Sequence, residues 1–173
     1  MYSMRMLITL PKGAKDITVT VSDGTNAVSG ATVTIEGQAQ TTDNNGKASF
    51  EDITEGSQSV TATKTGFADY SGSITVGSST SFSITMTPVG TLTVTVTDSE
   101  DTPSPISGAT VVIGETTKTT GEDGKAEFPN LAYEDKSATI SATGYATKTE
   151  TLAFRSNHKS FTVALVEEQQ GDG

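Results

Sequence analysis

The chain has 173 residues, with 11 basic and 21 acidic side chains and a formal charge of −10. That balance excludes a general nucleic-acid binder, because phosphate-backbone binding draws on clustered Lys and Arg. There is no Cys and a single His, His158, so disulfides, thiolate metal sites and Cys nucleophiles are excluded and any imidazole chemistry would rest on His158 alone.

Residues 1–15 carry Arg5, Lys12 and Lys15 and no acid, with Tyr2, Met4, Met6, Ile8 and Leu10 supplying apolar surface. Met4, Met6, Ile8 and Leu10 stand at strand spacing. The apolar stretch 6–10 is too short for a signal-peptide core and no small-x-small cleavage site follows. The segment is therefore expected to be retained, with no secretion route. No apolar run approaches the roughly 18–20 residues of a membrane span.

From residue 16 onward the pattern is strict alternation. Ile17, Val19 and Val21 alternate with Thr18 and Thr20, which places an apolar face against a core and a hydroxyl face toward water. Further strands are expected at 31–36, 47–50, 59–64, 72–76 and 81–87. After a linker at 87–91 containing Pro88 and Gly90 the series resumes at 92–96, 109–114, 125–128, 138–142, 149–154 and 160–166. Asn45-Gly46 and Asp123-Gly124 read as two-residue hairpin turns, since primed turns need positive φ. The expected cores include Val33, Ile35, Phe50, Ile53, Phe82 and Met86, and in the second half Val111, Ile113, Phe128, Leu131, Phe154 and Phe161.

This recurrence is a tandem duplication. Ser29-Gly30-Ala31-Thr32-Val33 returns as Ser107-Gly108-Ala109-Thr110-Val111. Thr41-Thr42-Asp43-Asn44-Asn45-Gly46-Lys47-Ala48 returns as Thr119-Thr120-Gly121-Glu122-Asp123-Gly124-Lys125-Ala126, and Thr65-Gly66-Phe67 as Thr143-Gly144-Tyr145. The second copy has extra residues around Thr102-Pro103-Ser104-Pro105, where a surface loop tolerates insertion. The expected organisation is an arm at 1–15, β-sandwich repeats at 16–88 and 91–166, and an acidic tail at 167–173. Residues 16–88 are acidic overall, as are 91–166 and the tail, so positive charge is concentrated in the arm.

The blocks Gly30-Ala31-Thr32-Val33, Thr42 to Gly46 with Phe50, and Gly66-Phe67, each met again in the second copy, resemble the carboxypeptidase regulatory-like family. That family is similar in fold to transthyretin and to the B-type repeats of collagen adhesins. Gly56-Ser57-Gln58 and Glu134-Asp135-Lys136 stand where the family commonly has G-x-Y. The resemblance implies an all-β chain of two tandem Ig-like, prealbumin-like antiparallel β-sandwiches. Adhesin relatives often join a first-strand Lys to a last-strand Asn; 17–21 and 92–96 hold no Lys and the closing strands no Asn, so that crosslink is not expected.

No catalytic constellation or cofactor motif emerges. His158 follows Arg155 and Asn157 in an expected turn. The acids Asp98, Glu100 and Asp101, and Asp43, Glu122 and Asp123, lack EF-hand spacing. Neither enzyme activity, cofactor nor metal is expected. Phe67, Tyr70 and Tyr145 are candidate glycan-stacking residues, and Tyr2, Met4, Arg5, Met6, Ile8 and Leu10 are candidate partner-docking residues. The functional expectation is a non-enzymatic display protein on a phage virion surface, as a head decoration or fibre-like protein. Residues 1–15 would dock on a protein lattice, capsid or other virion protein, with homo-oligomerisation as a further option. The alternative is a glycan-binding or host-adhesion module.

Overall fold

In a computed structural model the described residues are 13–156 and 159–169. Every regular element among them is a strand. The chain divides into two units, Met1–Thr87 and Pro88–Gly173.

In the first unit, β1 (Ala14–Ser22) lies between β4 (Lys47–Thr54) and β7 (Ser81–Thr85), while β2 (Thr32–Ile35) and β5 (Gly56–Thr63) lie between β3 (Gln38–Thr41) and β6 (Tyr70–Val76). The two sheets close on one core that holds Ile17, Val19 and Val21 from β1, Phe50 and Ile53 from β4, and Val33 and Ile35 from β2. The second unit repeats this plan. β8 (Val89–Asp98) lies between β11 (Lys125–Ala132) and β14 (Lys159–Leu165), and the other sheet runs β10 (Thr116–Thr119), β9 (Thr110–Ile113), β12 (Asp135–Ser141), β13 (Lys148–Ala153). Each unit is thus a seven-stranded Ig-like sandwich. Both depart from pure antiparallel pairing at one place: β7 runs parallel to β1, and β14 parallel to β8.

Four features differ from the sequence expectation, each for a local reason. β3 and β10 were not expected, because Gln38–Thr41 and Thr116–Thr119 are polar and almost wholly exposed and show no apolar alternation. They exist because a two-residue turn folds them back on β2 and β9. Glu36 and Gly37 have φ of 50° and 80°, the positive pair of a type I′ turn, whereas Gly114 alone has positive φ in the second copy, as at the first position of type II′.

The hairpins therefore sit at those turns and not at Asn45-Gly46 and Asp123-Gly124. These latter turns instead carry the chain from one sheet to the other, from β3 to β4 and from β10 to β11. Third, β4 and β11 run four residues past Phe50 and Phe128. Ile17 faces Phe50 but Lys15 faces Ile53, so β4 holds one extra residue there, and β11 does the same between Phe128 and Leu131. Asp52 and Asn130, at positive φ of 55° and 58°, are the equivalent residues in these bulges. A bulge breaks period-2 alternation, which hides the continuation from a sequence pattern. Pro129 is tolerated beside it for the same reason.

Fourth, Ala14 and Lys15 leave the expected arm to open β1, facing Thr54 and Ile53, and Val89, 6 % exposed, leaves the expected linker to face Ala132. Lys15 thus lies on the first strand after all, where its ammonium meets Glu55 at 3.6 Å. Of the expected core, Phe82, Leu131 and Phe161 are only partly buried, while Val28, Ile106 and several alanines join it. Val28 and Ile106 lie in loops outside the strand pattern, and alanine carries too little hydropathy to mark a core position.

Candidate binding surfaces

A buried threonine and a close-packed glycine, Thr42 with Gly46 and Thr120 with Gly124, recur in both copies, with an aspartate in each turn at a different position. Thr42 is 4 % exposed; its hydroxyl donates to the Val28 carbonyl (2.7 Å) and accepts from the Ala31 amide (2.9 Å). Thr120 does the same with Ile106 (2.7 Å) and Ala109 (2.9 Å). One hydroxyl thereby ties the loop before β2 to the end of β3, and its counterpart ties β9 to β10. Beside it, Asp43 Oδ1 accepts the amides of Asn45 and Lys47, both at 2.8 Å, and Asp123 Oδ1 accepts that of Lys125 at 3.1 Å.

These backbone donors, Lys47 foremost for Asp43 and Lys125 for Asp123, hold both carboxyls below the usual 3.8. Gly46 packs so closely that a Cβ would run into the Val21 carbonyl oxygen; at Gly124 it would stand 2.6 Å from that of Val96. Asp43 and Asp123 are therefore turn-builders. Among the described residues no group of three or more His, Asp or Glu is placed to hold a metal. His158 lies outside the described residues.

The insertion in the second copy falls in the loop after its first strand. In the first unit the Asp23 amide donates to Asn26 (3.0 Å), and Asp23 Oδ1 takes the amides of Thr25 and Asn26. The Asn26 amide leads the hydrogen bonds that lower the Asp23 pKa. In the second unit the Asp98 amide reaches Ser104 (3.0 Å), and Asp98 Oδ1 takes the Ser104 amide (2.9 Å). An equivalent aspartate thus closes a longer loop.

The expected stacking residues fall at two equivalent turns, one in each unit. Phe67 and Tyr145 each follow a positive-φ glycine, Gly66 and Gly144. Both are half-buried against their own core. The Lys64 ammonium lies 5.5 Å from the Phe67 ring centre. Tyr70 opens β6, and its hydroxyl lies over Gly72, 2.6 Å from where a Cβ would stand. Phe67 and Tyr70 thus neighbour one another along the first unit, and Tyr145 belongs to the second.

The turn that carries Tyr145 lies beside a cleft. Ala146 N–H donates to Val166 (2.9 Å), and Glu168 N–H donates to Gly144 (2.9 Å), which holds the chain after β14 beside the Tyr145 turn. Ser99, Glu100, Val166, Glu167, Glu168 and Gln169 line a cleft of about 460 Å³ there. Burial, and then the charges of Glu167, Asp98 and Glu100, push the Tyr145 hydroxyl above its usual 10.0. Val166 is 62 % exposed at this cleft. Sequence reasoning passed over the cleft because its lining comes from two loops far apart in the chain.

Sequence reasoning also missed Tyr133, whose hydroxyl donates to Val89 (3.0 Å) and whose ring meets Phe154 edge-on at 5.3 Å. The docking candidates Tyr2, Met4, Arg5, Met6, Ile8 and Leu10 lie outside the described residues.

No curated protein matches the chain. Among solved structures, the Bacillus anthracis TIE protein is similar at 16% identity over 90% of this chain and 34% of that one, with a TM-score of 0.41. A streptococcal ancillary pilin is similar at 15% identity over 90% of this chain and 63% of that one, with a TM-score of 0.39. The minor pilin of Streptococcus agalactiae is similar at 14% identity over 91% and 98%, with a TM-score of 0.42. The carboxypeptidase regulatory-like domain family matches twice, over residues 16–87 and 91–166. With Thr42, Gly46 and Phe50 and their second-copy equivalents in the places described, the chain belongs to the carboxypeptidase regulatory-like domain family, as two such domains in tandem.

Proposed function

We propose that the chain is a non-enzymatic structural or display protein, in which residues 1–15 dock on a larger protein assembly and the two sandwiches are presented from it. The observation that carries this reading is that both units use the same threonine, Thr42 and Thr120, to clip their own loops, and each spends a turn aspartate, Asp43 at one turn position and Asp123 at another, on its own backbone. What the two copies repeat is a scaffold and not a set of reacting groups. Their exposed strand faces are rows of hydroxyls, such as Ser57, Ser59 and Thr61 on β5 and Ser71, Ser73 and Thr75 on β6.

The narrowest form of the reading places the protein on a phage virion, as a head decoration or fibre-like surface protein. Deleting residues 1–12, which leaves β1 whole, is expected to preserve both folded units and abolish incorporation into particles. Mass spectrometry of purified particles reads the result, and normal incorporation of the truncated chain would refute docking by the arm.

The cleft beside Tyr145 favours a second reading, as a glycan-binding or adhesion module. An aromatic ring with carboxylates and amides around it suits a sugar's apolar face and hydroxyls. A glycan array with the full chain and with Tyr145→Ala tests it: binding lost in the variant supports this reading, and an array blank for both removes it.

A further inference from the structure

The same free sheet edge is treated differently in the two units. β7 pairs with β1 on one side, and among the described residues nothing pairs with its other side. Val19 stands opposite Phe82, Thr18 N–H donates to Thr80 (2.8 Å), and Met86 N–H donates to Ser22 (2.8 Å). In a parallel ladder of that register the backbone groups of Phe82 and Ile84 turn toward β1, and those of Ser81, Ser83 and Thr85 turn outward.

Such a row is a template for another strand unless charge, Pro or a bulge guards it. The second unit has guards. Lys159 opens β14 and sets its ammonium 5.8 Å from the Phe161 ring. Lys148, on the core-facing side of β13, bonds Ala164 of β14 (3.4 Å) and pairs with Glu150 (3.1 Å). In the first unit Tyr70 and Gly72 replace Lys148 and Glu150, and residues 70–97 contain no charge at all. Tyr70 and Phe82 are left half-buried beside the open edge.

We propose that the outer edge of β7 accepts a strand, and that its occupant is residues 4–10 of a second copy of this chain. This rests on the reading of residues 1–15 as the docking segment, and names its acceptor. Met4, Met6, Ile8 and Leu10 would share one side of an extended strand and cover Phe82 and Tyr70. The arm is cationic and residues 16–88 are acidic overall, so approach is favoured, and the uncharged edge offers no repulsion.

Reach keeps residues 8–10 of the chain's own arm off that edge, so the whole segment 4–10 can lie on it only from a second copy. Ser81 stands opposite Thr18, so the outer edge of β7 begins about 16 Å along and about 10 Å across from Gly13, some 19 Å away. Leu10 is three residues from Gly13, a reach of at most about 11 Å. The arm of one copy on β7 of the next is a head-to-tail contact, which propagates into rings or filaments.

Sedimentation velocity of the full chain over a range of concentrations is the test. The natural chain is expected to self-associate, and Ser83→Pro, which removes an outward N–H and leaves the β1 ladder intact, to weaken association at least about tenfold. Thr162→Pro, the equivalent change on β14, is expected to associate as the natural chain does. Deleting residues 1–12 is expected to stop association. If that deletion stops association while Ser83→Pro does not, docking by the arm stands and its placement on β7 is overturned. A natural chain that stays monomeric overturns the proposal.

Because the chain has no Cys, a check that needs no proline variant is available: mixing Leu7→Cys with Ser83→Cys chains under mild oxidation. A crosslinked pair can then form only between copies. Its formation supports the proposal, and its absence, with Arg5→Cys and Thr9→Cys tried for register, counts against it.

Discussion

At Thr42 and Thr120 the two units are interchangeable; at Tyr70 and Lys148 they are not. The shared positions clip strand ends and loops inside each sandwich, so duplication has left them alone. The differing positions lie beside a sheet edge, where one unit has a lysine, paired with Glu150, bonding a carbonyl of the edge strand and the other an aromatic ring over a glycine. The ends differ in the same way. Tyr133 bonds Val89 in the second unit (3.0 Å), where the first has the exposed Lys15–Glu55 pair. Scaffold residues answer to packing, which the two units share, and edge residues answer to whatever approaches from outside.

The largest expected effects test whether the units stand alone. Phe50→Ala and Phe128→Ala each empty the centre of one core and should cost about 3–5 kcal/mol. Calorimetry is expected to show one transition displaced in each variant and the other unmoved; displacement of both by either variant would break the comparison. Next is Gly46→Ala, where positive φ and the Val21 carbonyl oxygen together should cost about 1–3 kcal/mol or more. Gly124→Ala is expected to be as damaging, judged by urea midpoints, since its Cβ meets both Val96 and Pro105.

Thr42→Val and Thr120→Val keep the shape and strand a carbonyl and an amide, at about 1–3 kcal/mol each. Near-equal losses in chemical denaturation would sharpen the claim that this clip is common scaffold. The smallest effect concerns acid. Asp23, Asp43 and Asp123 have folded pKa values below 3.8. Their stabilisation is therefore complete above that value and fades as pH falls through the folded pKa. Stability is expected to drop below about pH 4, with Asp43→Asn flattening the drop for the first unit only.

Much of the fold was legible because Ile17, Val19 and Val21, and Leu92, Val94 and Val96, alternate cleanly with threonine, and alternation is a direct image of a half-buried strand. Duplication then made every block readable twice. Legibility failed where pairing outranked side-chain pattern. β3 and β10 expose nearly every residue, and only a tight turn makes them strands. The bulges at Asp52 and Asn130 shift the register, so alternation stops although the strand does not. The candidate sites were less legible. Phe67, Tyr70 and Tyr145 were visible as aromatics near glycine, but nothing local says that Tyr145 borders a cleft built from residues 99–100 and 166–169.

By itself the amino-acid sequence determined strand chemistry, the tandem repeat and the family motif, since these depend on period, spacing and turn residues read locally. Tertiary structure alone decided that Asn45-Gly46 crosses between sheets, that β7 and β14 run parallel to the first strands, and which strand edges are unpaired among the described residues. Those outcomes depend on which backbones meet across the sandwich, a long-range matter that no run of neighbouring side chains encodes.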